Sequence, residues 1–345
     1  EAYNNGKYTM EEKKEMFPHL FNSLSIVIPV LSSTFASVGR FLKHAGNMSL
    51  GMLIIDESGQ AVPQSALGAI YRTRRAVVVG DPLQVEPVVT IPKVLIDILA
   101  DSTCVANEYK VIENSAQTFA DNINEFNGMI GERQVGCPLV VHRRCIEPMF
   151  SISNLISYDN RMFNKTNKKE EYLKPENPFL IKKSGWINVE GVENGGKDHF
   201  VKNQAERVCQ LMEDAVHIYS DLFETDDKIF IITPFRTVAE SMRKFIISYF
   251  SAKGYDKEIL SKWTKNCVGT VHTFQGKDAN EVLLVLGCSN KSAGAMNWVV
   301  KKANILNVAC TRAKYRIAFI GNINDWKNRR YFREFIPKFI DTIDA

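Results

Sequence analysis

The sequence predicts an α/β protein built on parallel sheets with helices on both faces, and three observations predict it. Short, β-branched apolar runs alternate along the chain with longer amphipathic stretches. The runs are nearly continuous in apolar residues, as strands covered on both faces are. Two of them end abruptly in acidic and polar residues, the pattern of a sheet edge that meets a ligand. At 345 residues the chain exceeds what one hydrophobic core ordinarily holds, so two domains are expected.

A first series of strands falls at residues 26–31, 52–55 and 76–79, and a second at 186–189, 228–233, 268–271, 281–286 and 317–320. Helical stretches lie between them, among them 203–219 and 238–250. Strands separated by helices imply parallel pairing. Gly128, Gly131 and Gly136 precede Pro138 and mark a boundary, giving one domain over residues 1–133 and a second over 134–345. Residues 164–178 are highly charged and close on Pro175 and Pro178, which makes them an exposed loop of the second domain.

Hydrophobic residues make up 45% and charged residues 24%, the proportions of an ordinary globular protein. The net charge of +4 permits a nucleic-acid partner without requiring one. Seven cysteines are scattered with no C-x-x-C, which favours reduced thiols over a disulfide frame or a zinc site. No apolar run approaches the roughly 20 residues that span a bilayer. A cytoplasmic protein without a membrane partner is therefore expected. The chain opens on Glu1 and a polar stretch with no leader pattern, so a longer natural polypeptide is expected as well.

The chemistry begins at Leu53-Ile54-Ile55-Asp56-Glu57-Ser58-Gly59-Gln60. An apolar strand running into two carboxylates is costly unless something occupies its end. One carboxylate can hold Mg²⁺, usually through water, and the other can polarise an attacking water. A solvated acidic turn is the plainer alternative for this segment alone. A second strand, residues 76–79, runs into Gly80-Asp81-Pro82-Leu83-Gln84-Val85-Glu86-Pro87. Gln84 has the chemistry to hydrogen-bond a γ-phosphate or the attacking water.

D-E-x-x-Q followed by G-D-x-x-Q-x-x-P resembles motifs II and III of superfamily 1 helicases, in the branch of the RNA-surveillance helicases (superfamily 1B). Val141-His142-Arg143-Arg144-Cys145 looks like motif IV, Ile232-Thr233-Pro234-Phe235-Arg236 like the strand-end segment of the second domain, and the stretch from Val268 to Asp278 like motif V. Asn307-Val308-Ala309-Cys310-Thr311-Arg312-Ala313-Lys314 looks like motif VI. The resemblance implies two RecA-like P-loop NTPase domains with a nucleotide cleft between them, ATP and Mg²⁺ as cofactors, and 5′ to 3′ movement on single-stranded DNA or RNA.

By the same resemblance Asp56 holds Mg²⁺, Glu57 activates water, Gln84 senses the γ-phosphate, and Arg143 and Arg312 stabilise charge on it. Gly80, Asp81, Gln275, Gly276 and Asp278 are implied near the nucleotide. Ser33, Thr34, Pro234, Phe235, Thr270 and His272 are implied along the strand. Residues 32–37 resemble motif Ic, although a Ser/Thr cluster there also suits the cap of a following helix. Trp298 and Phe235 are candidates for base stacking, with core packing as their alternative.

Two departures stand out. No G-x-x-x-x-G-K-[ST] run, whose amides cradle phosphates, occurs in the sequence. The first domain is accordingly expected to lack its N-terminal part, with the phosphate loop on a preceding segment of the same polypeptide, and these residues alone are expected to turn over little ATP. Asp278 also stands where the family commonly has Glu. Rival readings are a non-hydrolysing nucleic-acid-binding module and the motor of a larger nuclease or defence protein. A dinucleotide-binding oxidoreductase fails for want of a G-x-G-x-x-G after a strand.

Overall fold

The computed structural model describes residues 6–110, 112, 114–131, 133–166, 178–193, 195, 198–274 and 276–343. They fall into two compact units, Glu1–Cys137 and Pro138–Ala345.

The first unit opens with α1 (Met10–Val27), started by a capping box in which Thr9 Oγ1 accepts the Glu12 amide at 3.2 Å and Glu12 accepts that of Thr9 at 2.7 Å. The strand expected at 26–31 is not there. The helix carries through Val27, and residues 28–34 have no regular structure. Pro29 supplies a reason: it offers no N–H to a sheet ladder and biases Ile28 away from helical geometry. A short apolar run reads alike for either element, so the pattern alone misleads.

After α2 (Phe35–Phe41) come β1 (Leu50–Ile55), α3 (Pro63–Tyr71) and β2 (Thr73–Val78). The two strands pair in parallel, with Leu50 beside Thr73 and Ile55 beside Val78. Their core is small: Ile55, Ala66 and Ala116 form one cluster, and Phe17, Leu42 and Ala45 another. Helices α4 (Lys93–Ser102) and α5 (Ala116–Ile123) and the hairpin of β3 (Gly128–Ile130) with β4 (Arg133–Val135) complete the unit.

In the second unit β5 (Val141–His142) pairs in parallel with β6 (Phe163–Asn164), and α6 (Met149–Ser157) lies between them in sequence. Of the loop expected at 164–178, residues 167–177 lie outside the described residues. There follow β7 (Gly185–Asn188), α7 (Lys202–Ile218), β8 (Ile229–Thr233), α8 (Arg236–Ser251), α9 (Lys257–Cys267), β9 (Val268–Thr270) and β10 (Ala279–Val285). The chain closes with α10 (Ala293–Val299), α11 (Asn304–Arg312), β11 (Ala313–Gly321), α12 (Ile323–Trp326), α13 (Phe332–Phe339) and β12 (Asp341–Thr342).

One six-stranded sheet, ordered β12-β7-β11-β10-β8-β9 and parallel throughout, organises this unit. Trp186 stacks on Phe319 with centroids 5.7 Å apart and meets Phe332 edge-on at 5.9 Å. Its indole N–H donates to the Gly321 carbonyl at 2.8 Å, so the buried polar atom is satisfied. A carboxylate, Glu281, sits fully buried on β10. It accepts the amides of Leu180 (2.9 Å) and Ile181 (2.6 Å) and the Tyr219 hydroxyl (2.6 Å), tying the sheet to a preceding segment and to the end of α7. Burial pushes its pKa up, and those donors oppose the shift.

Candidate functional site

At the end of β1 the chain passes into Asp56 and Glu57, both exposed. Glu57 adopts the left-handed conformation (φ 52°), and Asp56 accepts its amide at 2.9 Å. Ser58 then turns inward and is buried. Its amide donates to the Val79 carbonyl at 2.9 Å. Its hydroxyl lies 2.9 Å from the same carbonyl and 2.6 Å from Gln117 Oε1. Gln117 donates in turn to Asp121 at 2.8 Å, so α5 braces the turn from behind.

The segment after β2 is pressed against this turn. A Cβ on Gly80 would lie 2.7 Å from the Gly59 amide nitrogen and 2.7 Å from Ser58 Oγ, and one on Gly59 would lie 2.8 Å from the Asp81 carbonyl oxygen. Only glycine at both positions lets the two strand ends interlock. Asp81 then accepts the Leu83 amide at 2.9 Å and the Gln84 side-chain amide at 2.8 Å, while Gln60 donates to Glu57 at 3.1 Å. The two motifs therefore form one polar edge carrying Asp56, Glu57, Asp81 and Gln84.

Among the described residues no group of three or more His, Cys, Asp or Glu side chains could hold a metal ion. A hard cation here would take one exposed carboxylate and complete its shell with water and phosphate oxygens, which is how Mg²⁺ is usually held. Asp56 has the donor chemistry and the exposure for this. Ser33 and Thr34 are exposed ahead of α2, where Thr34 occupies the N-cap position and its hydroxyl donates to Ser37 Oγ at 3.2 Å.

In the second unit Arg143 stands exposed on a turn closed by its neighbours. The Cys145 amide donates to His142 Nε2 at 2.9 Å, and Cys145 Sγ lies 3.1 Å from the same atom. An imidazole nitrogen that accepts an amide carries no proton, and burial, helped by Arg144, pushes the His142 pKa down to about 4. Burial likewise pushes the Cys145 thiol up to about 12. The Thr166 hydroxyl donates to the Cys145 carbonyl at 3.2 Å, and the Ile146 amide donates to that of Lys314 at 3.2 Å.

Arg312 is placed quite differently. It is only 1% exposed, and its Nη1 donates to the carbonyls of Lys277 (3.0 Å) and Phe274 (3.3 Å). These carbonyls flank Gly276, whose φ of +74° suits a residue without a side chain. Gln275 lies outside the described residues. Asp278, a methylene shorter than Glu, reaches Lys314 Nζ at 2.7 Å. Thr270 sits beside Thr233 in the β8–β9 register, and His272 just beyond it is exposed. Pro234 and Phe235 are buried, with the Phe235 ring 4.8 Å from that of His199 and 5.9 Å from that of Trp298.

Two family models, each described as an AAA domain, match this chain at residues 125–324 and 2–91, and the first alone spans more than half of it. The chain belongs to the superfamily 1 helicases, in the Upf1-like branch. It is 22% identical over 326 residues to "Probable helicase senataxin" of Mus musculus, covering 91% of this chain and 11% of that protein. It is 24% identical over 336 residues to an uncharacterized ATP-dependent helicase of Methanocaldococcus jannaschii, covering 93% of this chain and 43% of that one. To "Regulator of nonsense transcripts 1" of Caenorhabditis elegans it is 26% identical over 298 residues, covering 83% and 24%. The chain thus spans less than half the length of these relatives. Among solved structures, an arterivirus nonstructural protein 10 (helicase) with DNA is similar at a TM-score of 0.37 and 12% identity, over 83% of this chain and 42% of that one. No helix among the described residues is long and apolar enough to cross a membrane.

Within this helicase chain several supporting residues escaped the sequence. Gln117 braces Ser58 from 59 positions away, a distance no local spacing encodes. His142 and Cys145 sit three apart around Arg143, and that spacing was a usable sign of a closed turn. Lys314 follows Arg312 by two residues, and its pairing with Asp278 is visible only once the fold brings β10 beside β11.

Proposed function

We propose that this chain supplies the ATP-hydrolysing and strand-gripping parts of a helicase or translocase that moves 5′ to 3′ on single-stranded nucleic acid. The interlock of Ser58 and Gly59 with Gly80 and Asp81 carries the reading, because it makes one polar edge out of two strand ends. Residues 1–133 carry the magnesium- and water-handling groups, and residues 134–345 the charge-stabilising ones. Bound Mg²⁺ neutralises phosphate charge, and Asp56 holds it through water. Glu57 orients and deprotonates the attacking water, and Gln84 senses the γ-phosphate. Gly80, Asp81, Gln275, Gly276 and Asp278 line the nucleotide. Ser33, Thr34, Thr270 and His272 face the strand, and Pro234 and Phe235, both buried, support that face from beneath.

Arg143 engages phosphate directly from its exposed turn. Arg312 does so only by giving up the carbonyls of Phe274 and Lys277. Anionic oxygens make stronger partners than carbonyls, which favours the exchange and releases the turn at Gly276 when nucleotide is engaged. The test is strand-stimulated ATP turnover by the full-length protein. Glu57→Gln is expected to lower kcat by roughly 10²- to 10⁴-fold while nucleotide and strand affinities hold. Arg312→Ala is expected to lose about 10³-fold or more. A Glu57→Gln enzyme working within a few-fold of wild type sinks the assignment. A second reading, a strand-binding module without turnover, would be selected by strand binding with no ATP hydrolysis in the full-length protein.

A further inference from the structure

Three of the four tryptophans, Trp186, Trp263 and Trp326, are essentially buried, whereas Trp298 is 53% exposed. It is not a core residue left over. Met296, Val299 and Val300 already supply the buried side of α10 and its end. The helix is also anchored where it meets solvent, by Arg329 Nη1 donating to Asn297 Oδ1 at 2.5 Å. Beneath the indole lies Phe235, with centroids 5.9 Å apart and planes at 35°, and Phe235 rests in turn against His199. Phe235 lies two residues beyond the C-terminal end of β8, which neighbours β9 and β10. The exposed ring therefore belongs to the edge at which parallel sheets bind their ligands.

We infer that Trp298 is a stacking platform for one base of a bound single strand, a residue-level inference that rests on the nucleic-acid reading above. Phe235, buried at the same place, is the floor that fixes the indole and does not itself meet the base. An aromatic face backed by a second ring is already ordered, and base stacking on it tolerates any sequence. Exposed Lys291 just before α10 and Lys301 just after it supply cations for the phosphates on either side of the stacked base.

The probe is an oligothymidylate of roughly 20 nucleotides, longer than one such site, bound to the full-length protein and compared with an abasic strand of equal length. Trp298→Ala should weaken oligothymidylate binding about 5- to 150-fold, while Trp298→Phe stays within a few-fold of wild type. On the abasic strand the wild type and Trp298→Ala should bind alike, a result that lost folding or lost phosphate contacts cannot give. Acrylamide quenching of the Trp298 contribution, defined by its loss in Trp298→Phe, should fall when oligothymidylate saturates the protein. Unchanged oligothymidylate binding by Trp298→Ala, or an equal loss on the abasic strand, overturns the inference and leaves the helicase reading standing. A wild type that binds neither strand overturns both.

Discussion

The two units present polar groups at the ends of parallel strands, but they support those ends in different ways. In the second unit β8 is buried along its whole length, and the sheet packs on Trp186, Phe319 and Phe332. In the first unit Met52, Ile54, Val77 and Val79 are exposed, Ile54 by 65%. What holds the first unit's polar edge is contact between backbones, through Ser58 and the paired Gly59 and Gly80. What holds Arg143 and Arg312 is attachment to a deep core.

The contrast is most easily broken by amide hydrogen exchange on the intact chain. Amides of β1 and β2 should exchange at least about 10³-fold faster than those of β8, β10 and β11, since sparsely packed elements open at low free energy and core strands only near global unfolding. Equal protection in the two sets would remove the distinction. A smaller effect sharpens it. Glu281→Gln replaces one of the two accepting oxygens with an NH2 donor, set either against the Ile181 amide or against the Leu180 amide and the Tyr219 hydroxyl, and should cost the second unit about 1–3 kcal/mol. Exchange in β1 and β2 should not move. A denaturation midpoint unchanged for β10 would mean that this buried carboxylate does not clamp the sheet.

The same contrast explains what was legible beforehand. The strands of the second unit stand close to their expected places because continuous apolar runs over a full sheet leave the pattern little choice, as at Ile229–Thr233 and Ala279–Val285. The run at 26–31 misled because Pro29, which offers no N–H to a ladder, outweighed its composition. At the candidate site Asp56, Glu57 and Gln84 were readable from strand ends followed by carboxylates and an amide. The burial of Arg312 against Phe274 and Lys277 was not, because a guanidinium partnered by backbone carbonyls leaves no mark in residue type. Nor could the sequence rank Phe235 below Trp298, since both are aromatic and only packing decides which one meets solvent.

The smallest effect concerns His142, whose pKa in the folded chain is down to about 4 against an ordinary value near 6.5. The folded state keeps this ring neutral because burial disfavours its charged form, with Arg144 adding to that, and Nε2 is free to accept the Cys145 amide, whereas the unfolded chain protonates the ring as pH falls through 6.5. The unfolded state therefore binds the extra proton, and stability present above pH 6.5 drains away between about 6.5 and 4. One proton limits the slope to about 1.4 kcal/mol per pH unit. Urea midpoints for the second unit at pH 7 and pH 5 should fall further in the wild type than in His142→Gln, which has no proton to take up. Parallel falls in the two proteins would show that the turn around Arg143 does not depend on a neutral imidazole, and would shift the support of that arginine to Thr166 and Lys314.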